Sequence, residues 1–269
     1  MKAHKNKFIK AVNRELHENK VSFIVYTILR LLVIAVMVLQ VLNKNYQNAF
    51  LCVLTLFLMI LPSVVQATFK VELPSLFEVI VLVFIFSAEI LGEINAFYIR
   101  FQHWDTVLHT LNGFLCAAIG FSLVDLMNRE RRMKFNLSPI FMAITAFCFS
   151  MTIGVLWEFF EFFMDLWFHT EMQKDTVVNA IYSTLLDSTK QNEVLAINNI
   201  NDVIVNNNSL GVGGYLDIGL IDTMYDLFVN FIGAVVFSVM GFFYVKRRDK
   251  KGIVKNLVLM PWNEDKNNS

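Results

Sequence analysis

The sequence is poor in charged residues and in cysteine, and both shortages restrict the class of protein. Asp, Glu, Lys and Arg make up 17% of the 269 residues, whereas a soluble domain contains about 25%. The three cysteines lie inside apolar stretches and lack the spacing of metal ligands or of a disulfide framework: Cys52, Cys116 and Cys148. We interpret them as packing residues. A disulfide-rich secreted domain and a zinc knuckle are therefore disfavoured, and a membrane protein is favoured.

The sequence also lacks the short motifs of common enzymes. It contains no Gly-x-Ser-x-Gly nucleophile elbow, no phosphate-binding P-loop and no Cys–His arrangement for nucleophilic catalysis. Zinc hydrolases with three histidine ligands are a poor match, because only His109 lies among the polar residues of an apolar segment. If the chain is an enzyme, its chemistry is therefore expected to rest mainly on carboxylates.

Long apolar runs are the main feature that is present. Hydrophobic residues make up 56% of the chain, and the mean hydropathy is +0.52. A helix of about 20 apolar residues crosses the hydrocarbon core of a bilayer. Six stretches meet this requirement, namely 21–42, 46–68, 74–97, 106–127, 138–164 and 219–245. The sequence therefore predicts an all-α, polytopic transmembrane helical bundle, whose first span is an uncleaved helix rather than a signal peptide.

The distribution of Lys and Arg predicts the side of the membrane on which each end of the chain lies. Most of the 23 Lys and Arg residues fall in the segments 1–20, 129–134 and 246–269. Because cytoplasmic segments carry the excess of basic residues, both termini are predicted to be cytoplasmic. The chain then divides into a basic tail (1–20), a six-span membrane domain (21–245) and a second basic tail (246–269). We expect the tails to contact anionic membrane lipids, and we expect no nucleic-acid partner.

Three of the predicted spans carry polar side chains at helical spacing near their outer ends. Residues three or four apart share one face of a helix. A carboxylate that faced lipid at this depth would cost several kcal/mol, so these faces should turn towards one another or towards water. The sequence therefore predicts one shared, outward-facing pocket formed by six residues: Asp105, His109, Glu158, Glu161, Asp222 and Asp226.

Several neighbouring residues extend this predicted pocket. Asn230 continues the four-residue spacing of the sixth span, and Gly233 then allows a neighbouring helix to approach closely. Asp165 lies at the outer end of the fifth span. Span three offers Glu89 as a fourth wall of the pocket, while Glu93 marks either the same wall or the water boundary.

Crowded carboxylates repel one another and need a bound cation, protons or basic partners. We predict a divalent metal with four ligands, a mixture of oxygen and nitrogen that suits Mn, Zn or Fe: Asp105, His109, Glu158 and Asp226. Glu161 or Asp222 would act as general base through a bound water in a metal-assisted hydrolase or transferase. The substrate would be a lipid-linked headgroup at the outer face of the membrane.

Other interpretations of the same residues remain open. The same pocket also suits the binding of a cationic or lipid headgroup. The alternatives for the whole protein are a proton- or cation-coupled carrier and a structural or partner-binding membrane protein without catalysis. Asp105 and Asp222, each taken singly, also suit the capping of a helix start. A carrier needs acids along a continuous route, yet the cytoplasmic halves of spans four to six offer only Asp125. This asymmetry favours an outer site.

Three motifs in fixed order resemble those of a known family. They are WDTVLHTLNG (104–113), WEFFEFF (157–163) and DTMYDLFVNFIGA (222–234). The set resembles the YjdF-like bacterial membrane proteins over about residues 73–245, and more distantly the VanZ-like proteins, which are associated with glycopeptide resistance. The resemblance implies a bacterial envelope setting and supports the choice of the six pocket residues, but it implies no reaction. We place the predicted pocket in maintenance of that envelope. Glu161 departs from the VanZ-like pattern, in which a Gln is expected.

The predicted extracytoplasmic segment 168–218 is much longer than an ordinary connection of about four to six residues. Its stretch VVNAIYSTLLD (177–187) has a helical apolar rhythm and is predicted to lie on the membrane surface. Gly211, Gly213 and Gly214 permit sharp turns before the sixth span. The segment is interpreted either as a lid over the pocket or as a variable loop.

Overall fold

The computed structural model describes residues 20–69, 71–129, 137–247 and 252–261. The predicted N-terminal tail lies outside these residues except for Lys20, and so does part of the predicted C-terminal tail. By contact clustering the chain divides into two compact units. The first, called unit 1, comprises residues 1–153 and 229–269, and the second, unit 2, comprises residues 154–228.

Six helical segments among the described residues are long and apolar enough to cross a membrane. In chain order the helices are α1 (Lys20–Leu42), α2 (Tyr46–Leu58), α3 (Leu61–Phe69), α4 (Ser75–Phe86), a π-helix (Ser87–Ile94), the short α5 (Phe97–Arg100), α6 (Trp104–Arg129), α7 (Pro139–Phe168) and α8 (Leu220–Arg247). Large apolar side chains are exposed along these spans, as lipid contact requires. The predicted all-α polytopic fold is confirmed.

Two of the six spans are less regular than the sequence predicts. The second span consists of α2 and α3, because the helix is interrupted at Met59 and restarts with Pro62 in its first turn, where a missing N–H costs no hydrogen bond. The third span changes from α4 into the π-helix, whose end is held by the Asn95 side-chain amide donating to the Ile90 carbonyl.

Unit 1 has a core of aromatic and small side chains. Phe77, Phe121 and Phe237 are almost fully buried, and the rings of Phe114 and Phe237 meet edge to face at 5.1 Å. Small residues between the helices let the large rings interdigitate at close-packed density.

The segment after α8 belongs to this core. A 3₁₀ turn (Ile253–Asn256) leads to the strand β8 (Met260–Pro261), which pairs antiparallel with β1 (Val71–Glu72). The side chains of Leu257 and Leu259 are buried, and the Leu259 N–H donates to Ser122 Oγ at 3.0 Å. Residues 252–261 therefore pack as a structural part of unit 1, although the sequence pattern placed them in a basic tail.

This packing leads to a stability prediction for the C-terminal segment. Leu259 is 4% exposed, so Leu259→Ala should lower the free energy of unfolding by about 2–4 kcal/mol through lost burial and a cavity. Ile253 is 64% exposed in the same segment, and Ile253→Ala should stay within about 0.5 kcal/mol of the wild type. Equilibrium unfolding in detergent measures both. Equal effects of the two substitutions would show that the segment contributes nothing specific to unit 1.

Unit 2 contains three two-stranded antiparallel sheets between α7 and α8. They pair β2 (Val177–Val178) with β7 (Tyr215–Leu216), β3 (Ala180–Ser183) with β4 (Leu195–Asn198), and β5 (Ile204–Val205) with β6 (Asn208–Ser209). The predicted surface helix over 177–187 is therefore wrong: these residues form β2, β3 and a 3₁₀ turn. Their β-branched and aromatic side chains favour strands, and residues 195–198 supply the hydrogen-bonding partner that the sequence pattern does not reveal. Gly211 and Gly213 adopt positive φ angles, as the predicted turns require, whereas Gly214 does not.

The turn after β3 is held by one carboxylate and should respond to acid. The Thr189 hydroxyl, followed by the N–H groups of Glu193, Thr189 and Gln191, lowers the pKa of Asp187 from 3.8 to about 2. Because the pKa is depressed in the folded turn, the stabilisation is complete above about pH 4 and is lost as the pH falls towards 2. Hydrogen exchange at the Gln191 amide, corrected for its intrinsic pH dependence, should therefore accelerate below about pH 4. Asp187→Asn should abolish this pH dependence, and an unchanged dependence would contradict the assignment.

Candidate functional site

Asp105 and His109 form a pair on the first two turns of α6 in unit 1. The spacing of four residues brings His109 Nε2 to 3.4 Å from Asp105 Oδ1, as expected for one helix face. The His109 side chain is 11% exposed. Beside the pair, the Trp104 ring meets the Phe97 ring edge to face at 4.9 Å, so aromatic side chains surround the start of α6.

A polar network lies one to two turns further along α6. The Asn112 side-chain amide donates to Asn230 Oδ1 at 3.3 Å, and the Ser150 hydroxyl donates to the Gly113 carbonyl at 2.7 Å. Cys116 Sγ lies 3.5 Å from Asn112 Oδ1. These contacts fix the register of α6 against α8 within unit 1, and they give Asn230 a structural partner.

Unit 2 carries the other four predicted pocket residues, on the last part of α7 and the first part of α8. Glu158 and Asp226 are 4% and 2% exposed, and Glu161 is also buried. Glu161 Oε1 accepts a hydrogen bond from Trp157 Nε1 at 2.9 Å. Buried carboxylates in apolar helices are costly unless a proton, a cation or hydrogen bonds compensate them. Glu158, Glu161 and Asp226 are therefore candidate functional residues.

Asp222 and Asp165 accept hydrogen bonds from backbone amides of the loop that follows α7. Asp222 Oδ2 accepts the Lys174 N–H at 2.7 Å, and Asp165 accepts the N–H groups of Met172 and Gln173 at 2.7 and 2.8 Å. The start of α8 is capped by Asp217, whose Oδ2 accepts the Ile221 N–H at 2.7 Å. In the contacts described here, Asp222 therefore binds the preceding loop, whereas Asp217 performs the capping that the sequence pattern suggested for Asp222.

Asp217 is a residue that the sequence analysis missed. Burial opposes ionisation, but the N–H groups of Thr176, Ile221 and Gly219 outweigh it and lower the pKa of Asp217 below its usual value. An Asp shortly before a helix start is a recognisable capping signal, so the pattern Asp217-Ile-Gly-Leu-Ile could have revealed it. Gln173, which donates through Nε2 to Thr223 Oγ1 at 2.5 Å, has no such signal.

Glu89 and Glu93, the predicted fourth wall, both lie in the π-helix of unit 1. The π-helix packs against α6, the helix that carries Asp105 and His109. Single π-turns inside helices are frequent at functional sites, because they re-aim the side chains of one turn. No sequence pattern marks this irregularity.

These elements define a polytopic helical membrane protein with carboxylates buried in its apolar helices. The chain belongs to the family described as "Predicted membrane protein (DUF2238)", whose sequence model matches residues 25–247. This match confirms the predicted membership of the YjdF-like family. No curated protein and no solved structure matches the chain.

Proposed function

We propose that this protein binds a divalent metal ion through Asp105, His109, Glu158 and Asp226. The observation that carries the proposal is the burial of two carboxylates, Glu158 and Asp226, inside apolar helices. Ionised carboxylates at such positions repel one another and lose hydration, and a bound cation offsets both costs. Asp105, His109 and Asp226 each offer one oxygen or nitrogen atom of a type that metals accept.

The ligand types favour a transition metal over Ca²⁺ or Mg²⁺. Imidazole nitrogen suits Mn, Zn or Fe, whereas Ca²⁺ and Mg²⁺ prefer oxygen ligands alone. Asp105 supports this choice in unit 1, because its carboxylate faces the His109 ring nitrogen at 3.4 Å. A carboxylate in this position raises the basicity of the imidazole and orients its ring, whether it acts as a ligand itself or beside one.

The proposed chemistry is hydrolysis or transfer of a lipid-linked headgroup on the extracytoplasmic side of the bacterial cytoplasmic membrane. A bound divalent metal would polarise a phosphoryl oxygen and acidify a water molecule there. Glu161 lies one turn from Glu158 on α7 and is the preferred general base, accepting the proton of the attacking water. Asp222, the other predicted base, is engaged by the Lys174 amide and is better suited to holding the site in place.

The core of unit 1 favours such a one-sided site over a carrier. Asn112 and Asn230 form a polar contact between α6 and α8. Further along both helices, towards their C-terminal ends, α6 and α8 contact each other through buried aromatic rings, including Phe121 and Phe237. A proton- or cation-coupled carrier needs polar groups along a continuous route. The proposed outward side of the site rests on the distribution of basic residues, which also predicts cytoplasmic termini.

A metal-dependent thermal shift tests the proposed binding. Protein stripped with a chelator is dialysed and then unfolded at a series of Mn²⁺, Zn²⁺, Ca²⁺ and Mg²⁺ concentrations. At 100 times Kd, a ligand that binds only the folded chain stabilises it by about 2.7 kcal/mol. We expect saturable stabilisation by Mn²⁺ or Zn²⁺ and much less by Mg²⁺. Equal, weak shifts with every cation would oppose a specific site and favour headgroup binding without metal.

A further inference from the structure

The chain that leaves α7 is tied alternately to both helices of unit 2. The Met172 and Gln173 N–H groups donate to Asp165 on α7, whereas the next N–H group, that of Lys174, donates to Asp222 on α8. The Gln173 side chain adds a second bond to α8 through Thr223. Three consecutive amides therefore form a bridge of fixed length between the two helices, here called the 172–174 bridge.

A second layer of contacts supports the bridge from the side away from the helices. The Thr176 N–H donates to Asp217 Oδ1 at 2.7 Å, and the Asp217 N–H returns a bond to the Thr176 carbonyl at 3.1 Å. Beyond these bonds, β2 and β7 pair in antiparallel register. Gly219 has a φ of +81°, and a Cβ there would lie 2.6 Å from Gln173 Cβ, so only glycine fits against the bridge.

The bridge acts on the helix faces that carry the proposed ligands. Asp165 follows Glu158 by seven residues on α7, and Asp222 precedes Asp226 by four on α8, so each pair shares one face. At 1.5 Å per residue, the bridge acts about 10 Å along α7 from Glu158 and about 6 Å along α8 from Asp226. A displacement of the helix ends is transmitted over these short, rigid lengths to both carboxylates.

We infer that Asp165 and Asp222 are positioning residues, which set the separation of Glu158 and Asp226 through the 172–174 bridge. This inference rests on the proposed function for its consequence, namely the metal affinity. It assigns Asp222 a structural task in place of general base catalysis. The charge of Asp222 is then dispensable, whereas its ability to accept the Lys174 N–H is essential.

The test compares Asp165→Ala and Asp222→Ala with the conservative variants Asp165→Asn and Asp222→Asn, which keep an acceptor oxygen. Spin labels at two exposed positions, Leu166 on α7 and Tyr225 on α8, report the helix separation by pulsed EPR. The background replaces the three native cysteines. Asp187→Ala is the matched control, since Asp187 also accepts several loop amides of unit 2 but does not join the helices. Mn²⁺ affinity is measured by EPR on unlabelled protein.

We expect both Ala variants to broaden the distance distribution and to weaken Mn²⁺ binding at least about tenfold, the usual effect of removing a group that orients ligands. Asp222→Asn should restore the narrow distribution and most of the affinity, because one acceptor oxygen suffices for the Lys174 N–H. Asp165→Asn keeps only one of the two oxygens that accept the Met172 and Gln173 N–H groups and should restore them in part. Asp187→Ala should change neither. If Asp222→Asn loses as much affinity as Asp222→Ala, then Asp222 is a ligand or base, and the inference is overturned. An unchanged distance distribution in both Ala variants also overturns it.

Two further comparisons distinguish a failure of the bridge from a failure of the proposed metal binding. If an Ala variant does not fold, Thr223→Val removes only the bond from Gln173 and should broaden the distribution to a smaller extent; a narrow distribution there would oppose the bridge. If the wild type binds none of Mn²⁺, Zn²⁺ and Fe²⁺, the metal proposal fails on its own. The distance measurements then decide the bridge by themselves.

Discussion

Gly113→Ala and Gly233→Ala are each expected to destabilise the protein strongly. A Cβ at Gly113 would lie 2.1 Å from the Asn230 carbonyl oxygen, and one at Gly233 would lie 2.0 Å from the Thr110 carbonyl oxygen. Both obstacles are backbone atoms of the facing helix, so α6 and α8 would have to separate. Overpacking of this kind costs about 3 kcal/mol or more, whereas helix propensity alone would favour Ala over Gly by about 1 kcal/mol. The packing term should therefore win.

The sign of the measured change distinguishes these two effects. Gly241→Ala is the comparison on α8, because its Cβ would lie 2.8 Å from the buried ring of Phe121, a side chain, and not against a backbone atom of the facing helix. Reversible unfolding in detergent should show a much larger loss for Gly113→Ala and Gly233→Ala than for Gly241→Ala. A neutral or stabilising effect at Gly113 would mean that α6 and α8 do not pack as described.

Glu158→Gln and Asp226→Asn are expected to weaken metal binding at least about 100-fold, equivalent to about 2.7 kcal/mol. Each substitution removes a negative ligand but keeps the size of the side chain. The same substitutions should raise the stability of the metal-free protein, because a buried charge is replaced by a neutral amide. This opposite response of the metal-free and metal-bound forms is specific to a buried ligand.

Glu171→Gln provides the control for these variants. Glu171 is an exposed acid of unit 2, so its removal should leave both the metal affinity and the metal-free stability unchanged. Thermal unfolding with and without Mn²⁺, on all three variants and the wild type, gives the metal affinity and the metal-free stability of each protein. Equal losses of affinity in all three variants would indicate diffuse charge attraction instead of a built site.

The sequence was sufficient to predict the six spans, because a membrane imposes a strong rule on length and composition. The predicted fifth span, 138–164, corresponds to Pro139–Phe168, so the helix continues through Asp165. Burial of Glu158, Glu161 and Asp226 was also foreseen, since helical spacing places each on an inward face. The cytoplasmic position of the termini stays a prediction.

Features that depend on distant backbone groups were not predictable. Asp222 and Asp165 bind the amides of residues 172–174, and no periodicity in the chain reports such contacts. The strands of unit 2 need partners up to about 40 residues away, so local rhythm suggested a helix for 177–187 instead. Likewise, the apolar residues of 252–261 find their partners near β1, far back in the sequence.

Metal content of the wild-type protein tests the central proposal most directly. The protein is purified in detergent without chelators, and its Mn, Zn and Fe are measured by elemental analysis beside Glu158→Gln and Asp226→Asn. The proposed site predicts about one metal ion per chain in the wild type and little in either variant. Wild-type protein that stays free of metal, even after incubation with each ion, would contradict it.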